Sequence, residues 1–245
     1  MKLKGDRPWL WGIALGTVLA LASSPRAERL ADLLAAVATN ERFDSPARAD
    51  VRIACEPDCT PAATRAIFLG RGDTLYVELE GGLRALIRPG EILTLEHGRA
   101  APAPPGAALG DTNVLLEDLA PFTPGSLKLP QISDEGPTEI VVTAAPSGPS
   151  AYVLLVRTID PRRHLVLKTQ YYRELIGNLA AMRRDGGFVD LAGHPRPGEI
   201  TVQSFRRGTT TRLVLSWRAA PDAPDRLFQA QGLAEPSGLA WPDAR

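Results

Sequence analysis

The sequence is poor in the residues that bind metals or act as catalytic nucleophiles. It has two cysteines and three histidines, and the histidines (His97, His164 and His194) lie in separate segments. Zinc sites need several Cys or His ligands at short spacing, so no metal site is expected. The chain also lacks a Gly-x-Ser-x-Gly elbow, a His-Glu-x-x-His helix and a phosphate-binding glycine loop. We therefore expect a protein that is not an enzyme and needs no cofactor.

An excess of charge of either sign is also missing. The 28 basic and 28 acidic residues give a formal net charge of zero. Proteins that bind nucleic acid usually present a strongly basic surface that neutralises phosphates. We therefore expect no nucleic-acid partner.

The two cysteines lie close together as Cys55-Glu-Pro-Asp-Cys59. The spacing favours a small disulfide across a Pro-Asp turn, which would require an oxidising compartment. Two free thiols are the first alternative, and redox or metal chemistry is the second.

Long hydrophobic runs are absent apart from one at the N-terminus. Lys2, Lys4 and Arg7 precede the apolar run 9–22, and Ala20-x-Ala22 offers small residues for cleavage. A bilayer span needs about 20 apolar residues, so this run fits the core of a signal peptide better. We predict a cleavable signal peptide over 1–24 and export to the periplasm. An uncleaved N-terminal anchor is the alternative.

Proline and glycine are abundant, and apolar residues between them mostly alternate with polar ones. Residues 27–42 are the exception, because Leu30, Leu33, Leu34 and Val37 follow a helical period. From 47 onward the period is two, which indicates antiparallel strands joined by tight turns. We predict an α+β fold of about 10 or 11 strands in one domain over 28–232, followed by a flexible tail over 233–245.

The stretch 110–122 interrupts the strand pattern and is predicted to form a short helix. Asp111 would cap its start, and Pro121 would end it. Leu115, Leu119 and Phe122 would share one face. An apolar helix within a sheet protein suggests a plug or lid over a hollow sheet. A surface helix packed on one edge of a solid sandwich is the alternative.

The order of these parts resembles the LolA-like outer-membrane lipoprotein-sorting family. The resemblance rests on the strand–turn–strand pattern of 155–172, on Asp111-Thr-Asn-x-x-x-Glu-Asp-Leu119, and on the closing Leu227-Phe228. It implies an unclosed antiparallel half-barrel whose concave apolar face is covered by helices. It also implies a carrier of the acyl chains of lipoproteins or lipids across the periplasm, served by an inner-membrane exporter or an outer-membrane acceptor. We expect a monomer.

Strand alternation gives the side chains that would line the apolar cavity. Ile92 and Thr94 are expected on the opposite face from Leu93 and Leu95. Ordinary core packing without ligand contact is the alternative for each residue, and a periplasmic sensor or adaptor is the alternative for the whole protein. The predicted ligand-binding residues are Leu75, Val77, Leu79, Ile87, Leu93, Leu95, Leu115, Leu119, Phe122, Val153, Leu155, Leu167, Leu215 and Trp217.

Overall fold

The computed structural model describes residues 25–57, 63–174 and 177–241. The predicted signal peptide and Cys59 lie outside the described residues, so both the signal peptide and the disulfide stay predictions. No helix within the described ranges is long and apolar enough to cross a membrane. The described elements are one α-helix, α1 (Pro25–Glu41), four short 3-10 helices and fifteen strands. The strands are β1 (Phe43–Glu56), β2 (Arg65–Gly72), β3 (Thr74–Leu79), β4 (Arg84–Arg88), β5 (Glu91–Glu96), β6 (Arg99–Pro102), β7 (Leu127–Glu135), β8 (Ile140–Pro146), β9 (Leu154–Asp160), β10 (Leu165–Tyr172), β11 (Leu179–Gly186), β12 (Val189–Leu191), β13 (His194–Arg196), β14 (Glu199–Ser204) and β15 (Thr209–Ala219).

Helix α1 confirms the predicted N-terminal helix. It begins at Pro25, where the missing proline N–H is harmless, and it buries the predicted apolar stripe. At its end, the Arg196 guanidinium donates hydrogen bonds to the backbone carbonyls of Asn40, Glu41 and Arg42. A cation is favourable at a helix C-terminus, because the last carbonyls are unpaired and carry partial negative charge. Arg196 thereby ties α1 to the β12–β13 hairpin.

Thirteen strands form one open antiparallel sheet. Its order is β6-β5-β4-β3-β2-β1-β15-β14-β11-β10-β9-β8-β7, and β12 and β13 pair separately. Two meanders therefore lie side by side and meet at the β1–β15 pair. The predicted unclosed antiparallel sheet is confirmed.

The prediction of 10 or 11 strands was too low, mainly because the two edge strands were taken for loops. Strand β6 includes Pro102 and strand β7 includes Pro130. Proline cannot donate to a sheet ladder, so it signals a loop, but an edge strand has one side without a partner and tolerates it.

The two faces of the sheet carry different hydrophobic clusters. The inner cluster gathers side chains from both meanders, from α1 and from the segment between β6 and β7. The outer cluster draws on β2–β6 and the C-terminal residues. Because side chains of distant strands meet in the inner cluster, the sheet curves around that face.

Residues 103–126, which we call the plug segment, connect the two edges of the sheet. The edges are twelve strand spacings apart, or roughly 58 Å along the sheet. The segment can extend to about 80 Å at most, so it can make this crossing. Val114 and Leu116 of the plug segment are fully buried in the inner cluster. The segment therefore crosses the inner face.

The predicted helix over 110–122 was wrong in extent. Only Leu116–Leu119 is helical, as one 3-10 turn, and Asp111 is exposed. The preceding residues fold back instead, with hydrogen bonds from Leu109 N to Val114 O and from Leu116 N to Ala107 O, both of 2.8 Å. Gly110 permits this turn: its φ is 58°, and a Cβ there would lie 2.7 Å from Leu79 Cδ2. Coverage of the concave face by helices is thus not confirmed, because an irregular segment occupies much of it.

The C-terminal residues lie against the outer face. Two 3-10 turns, Asp225–Phe228 and Ala230–Leu233, bury Leu227, Phe228 and Leu233 in the outer cluster. Leu239 and Trp241 pack against the same cluster, although we expected residues 233–245 to form a flexible tail. We call residues 225–241 the C-terminal segment.

Candidate functional site

An open cavity of about 590 Å³ is bordered by the plug segment, the second meander and the β4–β5 turn over 88–92. One wall is made of proline-rich loops, over 102–107 and 146–150. The other wall comes from strands β9, β10 and β11. Its lining includes apolar side chains such as Ile92, Leu116, Leu155 and Val166, together with charged ones. Small-molecule sites commonly have this size and mixed character.

Ten of the fourteen predicted ligand-binding residues contribute to the inner cluster. They come from both meanders and from the plug segment, so the sequence pattern assigned most faces of the sheet correctly. These ten are Leu75, Val77, Leu79, Ile87, Leu115, Leu119, Phe122, Leu155, Leu215 and Trp217.

Leu93 and Leu95 lie on the other face, in the outer cluster. The β4–β5 hairpin pairs Ile87 with Ile92 and Leu86 with Leu93. Paired residues of an antiparallel ladder share a face, so Ile92 joins Ile87 on the inner side. The prediction for Ile92 was wrong because alternation was applied to β5 on its own. The two-residue turn sets the pairing of β4 with β5, and this pairing decides which residues of β5 face inward.

Val153 and Leu167 belong to neither cluster. Val153 precedes β9 and is 41% exposed. Leu167 lies at an irregularity between Val166 and Lys168 in the β9–β10 register, and Val166 packs on the inner cluster in its place. A bulge shifts the alternation by one residue, which period-two reasoning cannot detect.

Seven of the fourteen predicted residues line one of three cavities. Phe122 and Leu155 line the 590 Å³ cavity, whereas Leu115 lines a separate cavity of about 890 Å³ near the 204–207 turn. A small third cavity of about 80 Å³ is lined by Leu75, Leu119, Leu215 and Trp217 among others. Val77, Leu79 and Ile87 line none of these three cavities and pack in the core.

A partly buried ion pair on β11 contacts the plug segment. Arg183 and Asp185 form a bidentate pair, with Nε to Oδ1 at 2.6 Å and Nη2 to Oδ2 at 2.7 Å. The third guanidinium nitrogen of Arg183 donates to the backbone carbonyl of Asp118. Burial by itself would lower the pKa of Arg183, but Asp185 holds it above its ordinary value. Arg183 therefore stays charged, and its charge is compensated.

Two further carboxyl groups are buried where the plug segment meets α1. Glu41 Oε2 accepts a hydrogen bond from Phe122 N at 2.7 Å, and Asp118 Oδ2 accepts one from Leu115 N at 3.0 Å. Burial raises the pKa of Asp118 to about 7 and raises the pKa of Glu41, although these N–H donors oppose the shift. Asp118 Oδ1 is buried without a hydrogen-bond partner among the described residues. The backbone of the plug segment is thus bound partly by two carboxyl groups, Glu41 and Asp118, whose burial disfavours the charged form.

Arg157 on β9 also lines the 590 Å³ cavity. Its guanidinium carbon lies 4.7 Å from the centroid of the Phe122 ring. Its Nε is buried and has no hydrogen-bond partner within the described part of the chain. Burial lowers the pKa of Arg157, and the nearby Glu41 raises it in part. Arg157 therefore differs from Arg183, whose guanidinium is fully engaged.

Further hydrogen bonds anchor the plug segment to the centre of the sheet. Asn113 N donates to Thr211 Oγ1 at 3.0 Å, and Asn113 Nδ2 donates to Thr209 Oγ1 at 2.9 Å. Glu117 accepts from Gly106 N, within the plug segment, at 3.2 Å and from Ala151 N, in the loop before β9, at 3.0 Å. These bonds satisfy polar groups that burial would otherwise leave unpaired.

Sequence reasoning missed these charged residues because it searched the strands for apolar side chains. A signal was present in the sequence. Arg157 stands between Leu155 and Ile159 at period two, and Arg183 and Asp185 share the face of Ala181. Charged residues at core-facing positions of a strand are unusual and mark a polar patch in the interior. The lining of the cavity includes no histidine or cysteine, and no cluster of three or more metal-ligating residues occurs in the described ranges.

The geometry of the sheet has counterparts among solved structures, although no protein-family model and no curated protein matches the sequence. A LolA superfamily protein from Nitrosomonas europaea is 18% identical, with a TM-score of 0.65 over 81% of this chain and 96% of that one. A DUF1329 family protein from Desulfovibrio piger is 12% identical, with a TM-score of 0.70 over 86% of this chain and 100% of that one. An outer membrane lipoprotein-sorting protein domain from Vibrio parahaemolyticus is 12% identical, with a TM-score of 0.61 over 83% and 97%. The chain therefore has the LolA-like fold.

Proposed function

We propose that the protein is a periplasmic carrier that binds an acyl chain of a lipoprotein or lipid between the plug segment and the sheet, for delivery toward the outer membrane. The observation that carries this proposal is the 590 Å³ cavity on a curved, open sheet, whose lining combines apolar side chains with charged ones. An inner-membrane exporter and an outer-membrane acceptor are the partners that such a carrier requires.

The energetics of acyl-chain burial favour this kind of site. Each CH₂ removed from water is worth about 0.8 kcal/mol, so one long chain gives useful affinity without many polar contacts. Apolar contact is also insensitive to the exact chemistry of the chain. A carrier can therefore release its cargo to a partner that offers a comparable apolar surface.

The plug segment decides how much of the inner face the cargo can reach. Val77, Leu79 and Ile87 belong to the same inner cluster as the plug segment and do not line the open cavity, which the segment borders over 103–107 and 116–126. We propose that the chain enters the cavity first and that the plug segment moves to admit the rest.

A sensor or adaptor that binds a partner protein is the second candidate. The observation in its favour is the number of hydrogen bonds that join the plug segment to the sheet and to α1, through Asn113, Phe122 and Glu117. A plug segment that never opens would leave the surface of the protein as its only binding region.

The test is native mass spectrometry with lipid extraction on protein purified from the periplasm. We expect acyl-bearing species to copurify with the wild type. Ile92→Asn places a polar group in the lining of the cavity and should remove most of the bound lipid. Leu95→Asn is the matched control, because Leu95 is a half-buried residue of the same strand that packs on the outer cluster.

The outcomes separate the two candidates. Lipid loss in Ile92→Asn but not in Leu95→Asn supports the carrier and its inner binding site. A wild-type protein that carries no lipid and binds none when offered acyl compounds contradicts the carrier. The adaptor would then be the better account.

A further inference from the structure

Arg157 is a cation inside the protein whose hydrogen-bonding capacity is largely unused. A guanidinium has five N–H donors in a fixed planar arrangement. The described residues supply a ring contact from Phe122 but no hydrogen bond to Arg157, and its Nε is buried. Leaving such donors unpaired costs free energy, because the group gives up hydrogen bonds to water. A buried guanidinium that faces a cavity is therefore suited to an acceptor that arrives from outside.

The carboxylates around the cavity are engaged elsewhere. Asp185 pairs with Arg183, Glu91 pairs with Arg88, and Glu117 accepts from backbone N–H groups. No salt bridge to Arg157 within 4.0 Å occurs in the described part of the chain.

The two remaining carboxyl groups compensate Arg157 only in part. Glu41 and Asp118 each accept one backbone hydrogen bond, and burial raises both pKa values toward the neutral form. When both are protonated, Arg157 is an uncompensated positive charge next to the 590 Å³ cavity. An anionic group in the cavity would then remove the imbalance.

We propose that Arg157 anchors the anionic head group of an acyl amphiphile whose chain lies in the cavity. The matching head chemistry is a carboxylate or a phosphate ester, because both present two oxygens to the planar fork of a guanidinium. This inference rests on the carrier proposal and adds a polar anchor to it. The Phe122 ring offers no acceptor oxygen, so its contact with the guanidinium does not take the place of an anionic ligand.

The test compares ligands that share one chain and differ in the head group. The probes are a long-chain fatty acid, its methyl ester and a monoalkyl phosphate, each competed against a fluorescent acyl probe below its micelle concentration. We expect the wild type to bind the two anionic ligands at least tenfold more tightly than the ester. Whichever of the two anionic heads binds more tightly identifies the source of the head group.

Arg157→Met should lower the affinity for the anionic ligands roughly tenfold to a hundredfold, because hydrogen bonds to charged groups are worth about 1.5–3 kcal/mol. Affinity for the ester should not change. Arg184→Met is the matched control, since Arg184 is the exposed neighbour of Arg183 on β11 and does not line the cavity. Arg157→Lys keeps the charge but loses the planar fork, so it should give an intermediate loss.

The results distinguish the anchor from the carrier. If the wild type binds all three ligands equally and Arg157→Met changes nothing, the anchor is wrong and the carrier stands. If the wild type binds none of them, the carrier itself fails. Circular dichroism checks the fold of each variant, and the head-group preference of the wild type decides the question even if Arg157→Met does not fold.

Discussion

The plug segment and the C-terminal segment both cover a face of the same sheet, but they are held differently. The C-terminal segment buries Leu227 and Leu233 completely in the outer cluster. Arg84 and Arg88 fix its backbone by donating to the carbonyls of Leu233 and Phe228, each at 2.7 Å. Arg84 Nε is buried without a hydrogen-bond partner among the described residues, but it lies 3.8 Å from Glu78 Oε1. Arg88 also lines the 590 Å³ cavity.

The plug segment has equally well-packed apolar side chains, but it also contains and borders polar groups that lack hydrogen-bond partners. Val114 and Leu116 are fully buried, yet the same segment carries Asp118, whose Oδ1 lacks a partner among the described residues. It also borders Arg157, which has the same deficiency at Nε. The comparison indicates that the outer covering places its unpaired donor beside a carboxylate, whereas the inner covering keeps Asp118 and Arg157 poorly paired next to a cavity. Buried polar groups without partners lower the stability of the folded state, and such groups are typical of functional sites.

The largest expected effect comes from truncating one fully buried leucine in each segment. Leu227→Ala and Leu116→Ala should each lower the free energy of unfolding by about 2–5 kcal/mol, because each leaves a cavity in packed core. Denaturant unfolding measures both values. Only Leu116→Ala should also change acyl-probe binding, since only Leu116 lines the cavity. Equal loss of binding in both variants would contradict the division of roles between the two faces.

The second effect concerns pH. Asp118 is buried, and its pKa rises from an ordinary 3.8 to about 7 in the folded protein. The folded state thus binds this proton more tightly than the unfolded state does. The resulting stabilisation is fully present below pH 4 and is lost as the pH rises toward 7. Asp118→Asn keeps an acceptor for Leu115 N but cannot ionise.

Comparison of unfolding free energies at pH 5 and pH 8 tests this expectation. Wild type should lose about 1–3 kcal/mol relative to Asp118→Asn between the two pH values, because the part of the shift that lies below pH 5 falls outside this interval. Glu41 is unchanged in the variant, so its raised pKa acts on both proteins alike. Parallel pH profiles for the two proteins would show that Asp118 does not titrate in this range.

The smallest effect comes from one polar anchor. Asn113→Ala removes the side-chain hydrogen bond to Thr209 and should cost about 1 kcal/mol. Hydrogen exchange should become faster at plug-segment amides such as Leu116. Amides of the C-terminal segment, such as Leu227, are the internal control and should not change. Faster exchange in both segments would mean that they unfold together.

Much of the architecture could be predicted from the sequence, because the spacing of apolar residues indicates which face of a helix or strand is buried. The stripe of Leu30, Leu33, Leu34 and Val37 gave α1, and alternation gave most central strands. Edge strands β6 and β7 escaped detection because proline is a loop signal. Leu93 and Leu95 were placed on the wrong face because turn register, rather than alternation, sets the phase between strands.

The site was less predictable than the fold. The apolar residues near it follow from alternation, but whether they line a cavity depends on how the plug segment packs. Arg157, Arg183 and Asp185 were overlooked, although their positions in phase with apolar neighbours could have revealed them. The pairing of Arg183 with Asp185, and the lack of such pairing for Arg157, is a property of the three-dimensional arrangement alone.

The most direct test of the account is to lock the plug segment to the sheet. Asn113→Cys combined with Thr209→Cys replaces two side chains that already hydrogen-bond at 2.9 Å. Thr211 is avoided because its strand partner is Cys55. Exchange of a bound acyl probe is measured in the oxidised and reduced double variant, with the wild type treated identically. The account predicts exchange at least tenfold slower only in the oxidised double variant. Unchanged exchange in the locked protein would contradict entry of the acyl chain beneath the plug segment.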